Sequence, residues 1–462
     1  MTGEDSMARR KTSGKTANRK TASGRPAAAA PAVADVAVAG AGMIGLTAAL
    51  AFAQAGLRVT LLDQASPAAL TDRAYDGRTT ALSRASKQVL QALGVWPALA
   101  PAAEPILAVR VADGVSGAAL TYDVRDLDEP AEADGSIQGL GWIVDNRDLR
   151  LALFARIART PAIRLRAPAT ITAFSGAADG ARLTLADGGE ERAWLVAAAD
   201  GARSTLRQLA GIATQGWAYG QEAFVATLAH AAPHDGVSHE IFWPDGPLAM
   251  LPLADATARR GDPAGLPHRS ALVWSLERRR GRDIHGLDET RLNQAVAGRT
   301  QGLLGETRLT GQRGRYPLGV VHAERYVMPR LALLGDAGHR IHPIAGQGAN
   351  LGFRDAAALA EVVGDAAELG LDFGMISVLR RYERWRRPDN TSLVLATDGL
   401  TRLFGNDRPV LRLARSAGLR AVDRMGPAKR LLMNGAMGLV GTLPRLVQGE
   451  PLGQRMAVAA KP

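Results

Sequence analysis

Two stretches of the chain carry the plainest alternation of apolar runs and polar breaks. In the first, VADVAVAGAGMIGLTAALAFAQAGLRVTLLD, an apolar run beginning at Val33 predicts a strand, and glycines at 40, 42 and 45 predict a tight turn. Apolar residues at helical spacing then predict a helix to Ala55, and a second apolar run predicts a strand ending at Asp63. In the second stretch, LALLGDAGHRIHPIAGQGANLGFRD, four apolar residues from Leu331 run into Gly335-Asp336, as a buried parallel strand runs to its carboxyl end. A loop with Pro343, Gly346 and Gly348 follows, and Asn350 to Ala360 carries apolar residues at helical spacing.

Between and after these stretches the pattern is more varied. Tyr75 to Ser83 leads into a helix through Leu93, and residues 105–145 alternate as short strands and polar turns. Asp145-Asn146 opens a helix near Arg147, Ile163-Arg164-Leu165 is strand-like, and Ala169 to Ala186 reads as a hairpin. The apolar run from Trp194 ends in Asp200-Gly201-Ala202-Arg203-Ser204, a strand with an acidic end leading to a helix. From about Gly216 to Tyr316, strands at Ala223–Ala229, His239–Trp243, Leu248–Pro252 and Ala271–Leu276 are separated by Pro/Gly turns, with a helix across Glu289–Leu304. Phe373–Leu400 and Arg408–Leu443 read as arginine-rich helices, the second broken at Pro427. The expected organisation is a basic disordered tail over 1–31, then a nucleotide domain from 32–104, 146–213 and 323–372. A substrate sheet domain from 105–145 and 214–322 is interleaved with it, and a helical region covers 373–462.

Composition narrows the class. At 462 residues and 47% hydrophobic, the chain can bury a large core, and no apolar run reaches the length of a membrane-spanning helix. Cysteine is absent, which excludes disulfides and thiolate chemistry, and no metal site is read from the sequence. The net charge of +11 is uneven. Residues 1–25 hold seven Lys/Arg against two acids and residues 375–462 hold sixteen against six, so the body between is close to neutral. A basic surplus confined to the ends, without aromatic interleaving, favours an attachment surface over nucleic-acid binding. The leader is compatible with a transit peptide or, more simply, a solvated tail.

The chemistry is legible in the first stretch. Gly40 allows the tight turn, Gly42 lets a pyrophosphate approach the backbone, and Gly45 lets the helix pack on the strand. Asp63, 18 residues beyond Gly45, can hold the ribose hydroxyls of an adenosine. In the second stretch the strand-end carboxylate of Asp336 suits a sugar hydroxyl, and the glycine-rich loop entering a helix suits a planar or anionic ligand. Arg78, in DGRTTALS near a helix start, is either a surface arginine or a bidentate partner for a diphosphate.

Taken in order, Gly40–Gly45 with Asp63, Arg78 in DGRTTALS, Asp200-Gly201, and Gly335-Asp336 with Pro343 and Gly346-Gln347-Gly348 resemble the flavoprotein aromatic hydroxylases of the p-hydroxybenzoate hydroxylase fold. YPLGVVHAERYVMPRLALLGDAGHRIHPIAGQGANLGFRDAAALAE is similar to the most specific stretch of the ubiquinone-biosynthesis hydroxylases. FWPDGPLAMLPL, RRYERWRRPDN and TDGLTRLFGND resemble that family's substrate sheet and C-terminal helices, so the likeness spans about 33–445. Two departures, Gly338 for a usual alanine and Ala198 where a glycine often stands, remove no polar contact.

The resemblance implies an α/β fold: a Rossmann-like FAD-binding domain with a βββ crossover, a mixed substrate sheet, and C-terminal helices. It implies FAD, with its pyrophosphate at Gly40, Gly42 and Gly45, its adenosine ribose on Asp63, its diphosphate region near Arg78, and Asn146 touching the cofactor. Asp336 would take the ribityl-side hydroxyls. The backbone through Gly346, Gln347, Gly348, Ala349 and Asn350 would face the pyrimidine end of the flavin, with Pro343 beside the ring. Asp200, Gly201 and Arg203 belong to a motif implicated in FAD and NAD(P)H contact. NADH or NADPH would reduce the flavin as a transient donor, without a Rossmann domain of its own. O2 would react next, and one oxygen atom would pass to the ring of a polyprenylphenol. His339 and His342 either supply protons near the loop or orient it, and no catalytic base is named.

A polyprenyl substrate resides in a membrane, and Ala428–Leu443 joins Lys429 and Arg430 to LLMNGAMGLVGTL, too short to span but able to lie in the interface. It could equally pack on its own domain or a partner. The expected location is therefore cytoplasmic and peripherally membrane-associated, with a ubiquinone-synthesis complex as a candidate partner and no nucleic acid. Two other readings stand beside it: a flavin reductase or hydroxylase of a soluble aromatic, and a non-catalytic flavin-binding scaffold in a quinone-synthesis complex.

Overall fold

Strand β1 (Ala34–Ala39) is buried along nearly its whole length, as a strand paired on both edges and covered on both faces must be. The computed structural model describes residues 33–74, 77–127, 138–255, 265–342, 346–404 and 409–453; the basic tail expected over 1–31 and Pro343 lie outside them. Beside β1 run β2 (Val59–Leu62) and β11 (Glu190–Ala198), both parallel to it. The parallel order extends through β8 (Ile163–Arg166) beyond β2 and β18 (Leu331–Leu333) beyond β11, with β17 (Val327–Met328) at the edge. The hairpin β9 (Ile171–Ala177) and β10 (Gly180–Leu185) joins β11 antiparallel, giving the expected βββ crossover.

Helix α1 (Met43–Gln54) packs between this sheet and the long α9 (Gln347–Glu368), and both are lined with alanine and leucine at 0–4% exposure. Small residues bring the two helices close: a Cβ on Gly352 would lie 2.7 Å from Ile44 Cδ1. Around them lie α2 (Pro67–Leu70), α3 (Arg84–Ala92), α4 (Trp96–Leu99), α5 (Asn146–Ile157) and α6 (Thr205–Leu209).

A second sheet of eight strands carries β5 (Ala108–Asp113), β6 (Ala119–Asp123), β12 (Thr214–His230), β13 (Val237–Trp243), β14 (Gly246–Leu253), β15 (His268–Glu277), β16 (Thr307–Ala323) and β19 (His339–Arg340). Their order is β19-β16-β12-β15-β14-β13-β5-β6. Its outer face, through Phe224, Ile241, Leu248 and Trp274, is sealed beneath α8 (Glu289–Thr300), with α7 (Arg278–His285) beside it. The two long strands differ from expectation. β12 and β16 each run 17 residues, where only Ala223–Ala229 reads as strand in the sequence. They persist through glycines because their register shifts between Ala218 and Glu222 and again between Val225 and Thr227, which absorbs the turn-forming residues as irregularities.

Residues 104–106 and 141–145 also differ from expectation. As β4 (Glu104–Ile106) and β7 (Gly141–Asp145) they pair with β3 (Thr79–Ser83) in a separate three-stranded sheet rather than with the strands around 214–322. The C-terminal region is helical: α10 (Ile376–Phe404), α11 (Pro409–Arg424) and α12 (Gly426–Met437). Pro427 stands in the first turn of α12, where its missing N–H leaves no hydrogen bond unmade.

Candidate functional site

The glycine loop after β1 is shaped by what surrounds it. A Cβ on Gly40, whose φ is +100°, would lie 2.5 Å from the Ala199 carbonyl oxygen, and one on Gly45 would lie 1.8 Å from the Gly40 carbonyl oxygen. These two glycines are therefore demanded by packing within the loop. Gly42 is different: a Cβ there would meet nothing within 4 Å, so the backbone at the helix start faces open space. Gly42 is the N-cap of α1, with no side-chain cap and no acid in the first turn, which leaves N–H groups and the positive end of the helix dipole directed outward.

Asp63 sits just past β2, where its Oδ2 accepts from the Ala41 N–H at 2.7 Å and its Oδ1 from the Ala65 N–H at 2.8 Å. The carboxylate is thus locked against the glycine loop while each oxygen keeps a further lone pair for a hydroxyl. On the other side of the loop, Asp200 Oδ2 accepts from the Leu206 N–H at 3.1 Å, while its buried Oδ1 has no partner among the described residues. Gly201 takes φ +81° in open space, as the sharp turn after β11 requires.

The second glycine loop arrives beside the first. Gly335, at φ +54°, and Gly352 both abut Ile44 in the first turn of α1, so the end of β18, the start of α1 and the start of α9 meet at one point. Asp336 follows, solvent-exposed yet set deep among protein atoms, which places it on a concave wall. Desolvation raises its pKa, opposed by His339 and Arg340 nearby. Gly346, in the left-handed region at φ +61°, caps α9 without a side-chain hydrogen bond, and the first turn again lacks an acid.

Two of the residues grouped with this loop have side chains engaged elsewhere. Asn350 Oδ1 accepts from the Ser83 N–H at 2.9 Å and the Ser86 hydroxyl at 2.7 Å, and its amide donates to the Ala81 and Gly346 carbonyls. That exhausts a side-chain amide and makes Asn350 the clamp between α9 and β3. Gln347 Nε2 donates to the Ala436 carbonyl of α12 at 3.1 Å. What this turn leaves for a ligand is the backbone of Gly346, Gln347, Gly348 and Ala349. Arg78 is exposed, and the Asn146 N–H donates to its carbonyl at 3.0 Å while Asn146 Oδ1 accepts from the Thr80 hydroxyl at 2.6 Å. Arg78 and Asn146 are thus neighbours at the mouth of the three-stranded sheet.

His339 and His342 act on the loop's framework. His339 Nε2 bonds the fully buried Asp355, which also accepts from the Gly335 N–H at 3.1 Å, Arg386 Nε at 2.9 Å and Asn390 Nδ2 at 3.3 Å. Burial alone would raise the Asp355 pKa, but His339 and Arg386 hold it well below the usual carboxylate range. His342 is buried edge-to-face against Tyr219, ring centroids 5.0 Å apart, and desolvation pushes its pKa down to about 4. Sequence reasoning missed Asp355 and Arg386. Their signal was a charge at Asp355 in α9 and at Arg386 in α10, each among mostly apolar residues on the buried face of its helix.

Two outward-facing helix starts, a strand-end carboxylate at each glycine loop and open backbone at Gly42 match a long ligand with a diphosphate in the middle and hydroxylated chains on either side. These residues fit FAD. The fold is that of the flavoprotein monooxygenases: p-nitrophenol 4-monooxygenase PnpA from Pseudomonas putida superposes with a TM-score of 0.70 over 88% of this chain and 98% of that one, at 19% identity. Residues 33–394 match the family model described as FAD binding domain. The chain is 42% identical to ubiquinone hydroxylase UbiL of Rhodospirillum rubrum over 89% of its own length and 92% of that protein. It is 35% identical to 3-demethoxyubiquinol 3-hydroxylase of Escherichia coli, over 87% and 97% respectively. The chain belongs to the FAD-dependent ubiquinone hydroxylase family, and FAD is its cofactor.

Proposed function

We propose that the protein hydroxylates the aromatic ring of a polyprenylphenol intermediate in ubiquinone biosynthesis, with NAD(P)H and O2 as co-substrates. The observation that carries the reading is the meeting of two uncapped helix starts and Asp336 around Ile44, Gly335 and Gly352. When bound, FAD supplies the redox and oxygen chemistry. The chain's own residues then have three tasks. Gly40, Gly42 and Gly45 admit the diphosphate, with Arg78 and Asn146 at its edge and Asp200 behind the loop. Asp63 and Asp336 hold hydroxyls on either side of it. The N–H groups at Gln347, Gly348 and Ala349 lie at the positive end of a 22-residue helix and would stabilise negative charge developing on the flavin. The reacting centre must also be kept from water, a task that would fall to the second sheet and the C-terminal helices.

A membrane surface is the source of such a substrate. Among the described residues no helix is long and apolar enough to cross a membrane. Half of α12 is committed to packing, since Met433 and Met437 are buried, but Met425, Leu431, Leu432 and Val440 are 45–63% exposed beside Arg420, Arg424 and Arg430. That combination supports peripheral attachment to an anionic interface.

The reading is tested with the purified, FAD-loaded protein. NAD(P)H oxidation coupled to hydroxylated product should follow addition of a prenylated phenol and should be weak with small phenols. Flavin that is retained but reduced by neither nucleotide in the presence of prenylated phenol would overturn it in favour of a scaffold.

A further inference from the structure

Helix α12 is weak as a helix and has two unlike faces. It is twelve residues long, begins on Gly426 without a side-chain cap or an acid in its first turn, and carries Gly435 near its end. Alone in water such a segment is barely helical, so its order depends on the contacts it makes. Its buried residues are Met433 and Met437, inserted among Ile106, Leu140, Ile143 and Leu253. Leu431 and Leu432 on the other face, with Met425 and Val440 at its ends, are exposed beside Arg424 and Arg430.

The remaining contacts of α12 lead to the flavin turn. The Ala436 carbonyl, one of the four left over at the end of this helix, accepts at 3.1 Å from Nε2 of Gln347, the first residue of α9. Gln347 is 8% exposed, so the bond is shielded from water. Gly438, the C-cap of α12 at φ +76°, lies against the start of α3: a Cβ there would be 2.9 Å from Ala85 Cβ and 3.6 Å from Ser83 Oγ. Ser83 is in turn held by Asn350 of α9. The end of α12 therefore rests on both parts of the frame that fixes the first turn of α9. Its other end is tied just past β6, where Lys429 Nζ lies 2.7 Å from Asp126 Oδ2.

This docked position also carries a penalty. Arg354 Cδ would lie 3.8 Å from a Cβ on Gly438, and the side chain is almost fully buried, which pushes its pKa down to about 10. Its Nε has no hydrogen-bond partner among the described residues, and its ion pair with Asp389 spans 3.9 Å. A buried guanidinium served this poorly opposes the packing around it, and lifting Gly438 would open it to water. Docked and loosened states of α12 are thus set against each other by few contacts.

We propose that an anionic bilayer surface, by binding the exposed face of α12, tightens the flavin turn, so that lipid and FAD each raise the affinity of the protein for the other. Arg430, Leu431 and Leu432 share one face only while α12 is helical, so lipid favours the docked state. FAD, at the N–H groups of the α9 turn, favours the same state. Two ligands that select one state are coupled reciprocally, by the same factor in each direction. The arginines around the apolar face select anionic over neutral headgroups. The inference rests on the peripheral attachment proposed above and is independent of turnover.

The test measures binding alone. Full-length apoprotein is titrated with FAD, read by flavin fluorescence, in buffer, with phosphatidylcholine vesicles and with phosphatidylglycerol vesicles. Phosphatidylglycerol should tighten FAD about fivefold or more, and phosphatidylcholine should not. Holoprotein should co-sediment with phosphatidylglycerol more tightly than apoprotein by the same factor. Leu431→Glu with Leu432→Glu should bind FAD normally without lipid and lose the response. Gln347→Leu, lacking the bond to Ala436, should still sediment with vesicles but lose most of the linked gain. Each variant is first checked for wild-type melting as apoprotein. Vesicle binding with unchanged FAD affinity would overturn the coupling and leave the attachment standing, whereas no vesicle binding would overturn both. An equal gain with phosphatidylcholine would overturn the anionic surface, and a full gain in Gln347→Leu would overturn the route through Ala436. None of these results depends on whether a prenylated phenol is hydroxylated.

Discussion

Replacing Asp355 by asparagine separates the scaffold of the flavin site from its contacts. Asp355 is at 0% exposure, and its two oxygens receive His339, Gly335, Arg386 and Asn390. Arg386 is equally enclosed, although it also reaches Asp389. Asparagine preserves the shape but removes the charge, which leaves a buried guanidinium short of a counter-ion and turns an acceptor towards Gly335 or His339 into a donor. Breaking a buried pair from one side costs about 3–5 kcal/mol, which for a chain of this size is a fall in melting temperature on the order of 5–10 °C. Because the Gly335 N–H hangs on the same carboxylate, Asp336 should lose its position and FAD affinity should fall with stability. Asp336→Ala, in contrast, removes only exposed charge-assisted contacts. It should leave the melting temperature of the apoprotein unchanged while weakening FAD by about 1.5–3 kcal/mol per lost hydrogen bond, roughly tenfold to a hundredfold. Differential scanning fluorimetry of apoprotein, with flavin fluorescence titration, reads both quantities. An Asp355→Asn protein that melts with the wild type, or an Asp336→Ala apoprotein that melts early, would refute the division. Partial recovery of stability in Asp355→Leu combined with Arg386→Met would show that the lone charge is the penalty.

The two glycines of the first loop should part company. Gly45→Ala must displace the Gly40 carbonyl and should lose folded protein, whereas Gly42→Ala meets no neighbour and should melt normally yet bind FAD at least about tenfold more weakly, as circular dichroism and flavin titration would show. Stability should decline in acid through His342. Its folded pKa of about 4 lies below the unfolded value, so the contribution is present above about 6.5 and is lost as pH falls towards 4, amounting to about 2 kcal/mol by pH 5. Urea midpoints at pH 5 and 7.5 should differ less in His342→Gln than in the wild type. Leu431→Glu with Leu432→Glu changes only exposed positions, so melting should be unaltered while co-sedimentation with phosphatidylglycerol vesicles is lost.

How much could be read without the structure depended on how local each signal was. Gly40, Gly42, Gly45 and Asp63 fall within one strand-turn-helix-strand unit, so spacing alone located them, and the strand at Leu331 with its acidic end was as plain. β12 and β16 were largely hidden because Gly220, Gly311, Gly314 and Pro317 mark turns in isolation, and only their long mutual pairing converts these into bulges. The placement of β4 and β7 was hidden for a related reason: a three-residue strand has no periodicity, and its partner β3 lies some distance back in the chain. At the site, the roles of Asn350 and Gln347 followed from tertiary partners, Ser83, Ser86 and Ala436, that no local pattern announces. C-terminal packing was half legible. The amphipathic character of α12 was visible, but which face meets Leu253 and Ala271 was not.

The position of β18 has a consequence for biosynthesis. It supplies the neighbour of β11 in the central parallel sheet, in register from Val196 with Leu331 to Ala198 with Leu333, although β1 was made almost three hundred residues earlier. At about 5–20 residues per second, a ribosome needs roughly 15–60 s to deliver that strand. Through this interval the underside of α1 waits for α9, and from the completion of β11 at Ala198 the apolar edge of that strand waits roughly 7–27 s for Leu331, so the nascent chain is a client for holding chaperones until its last third emerges.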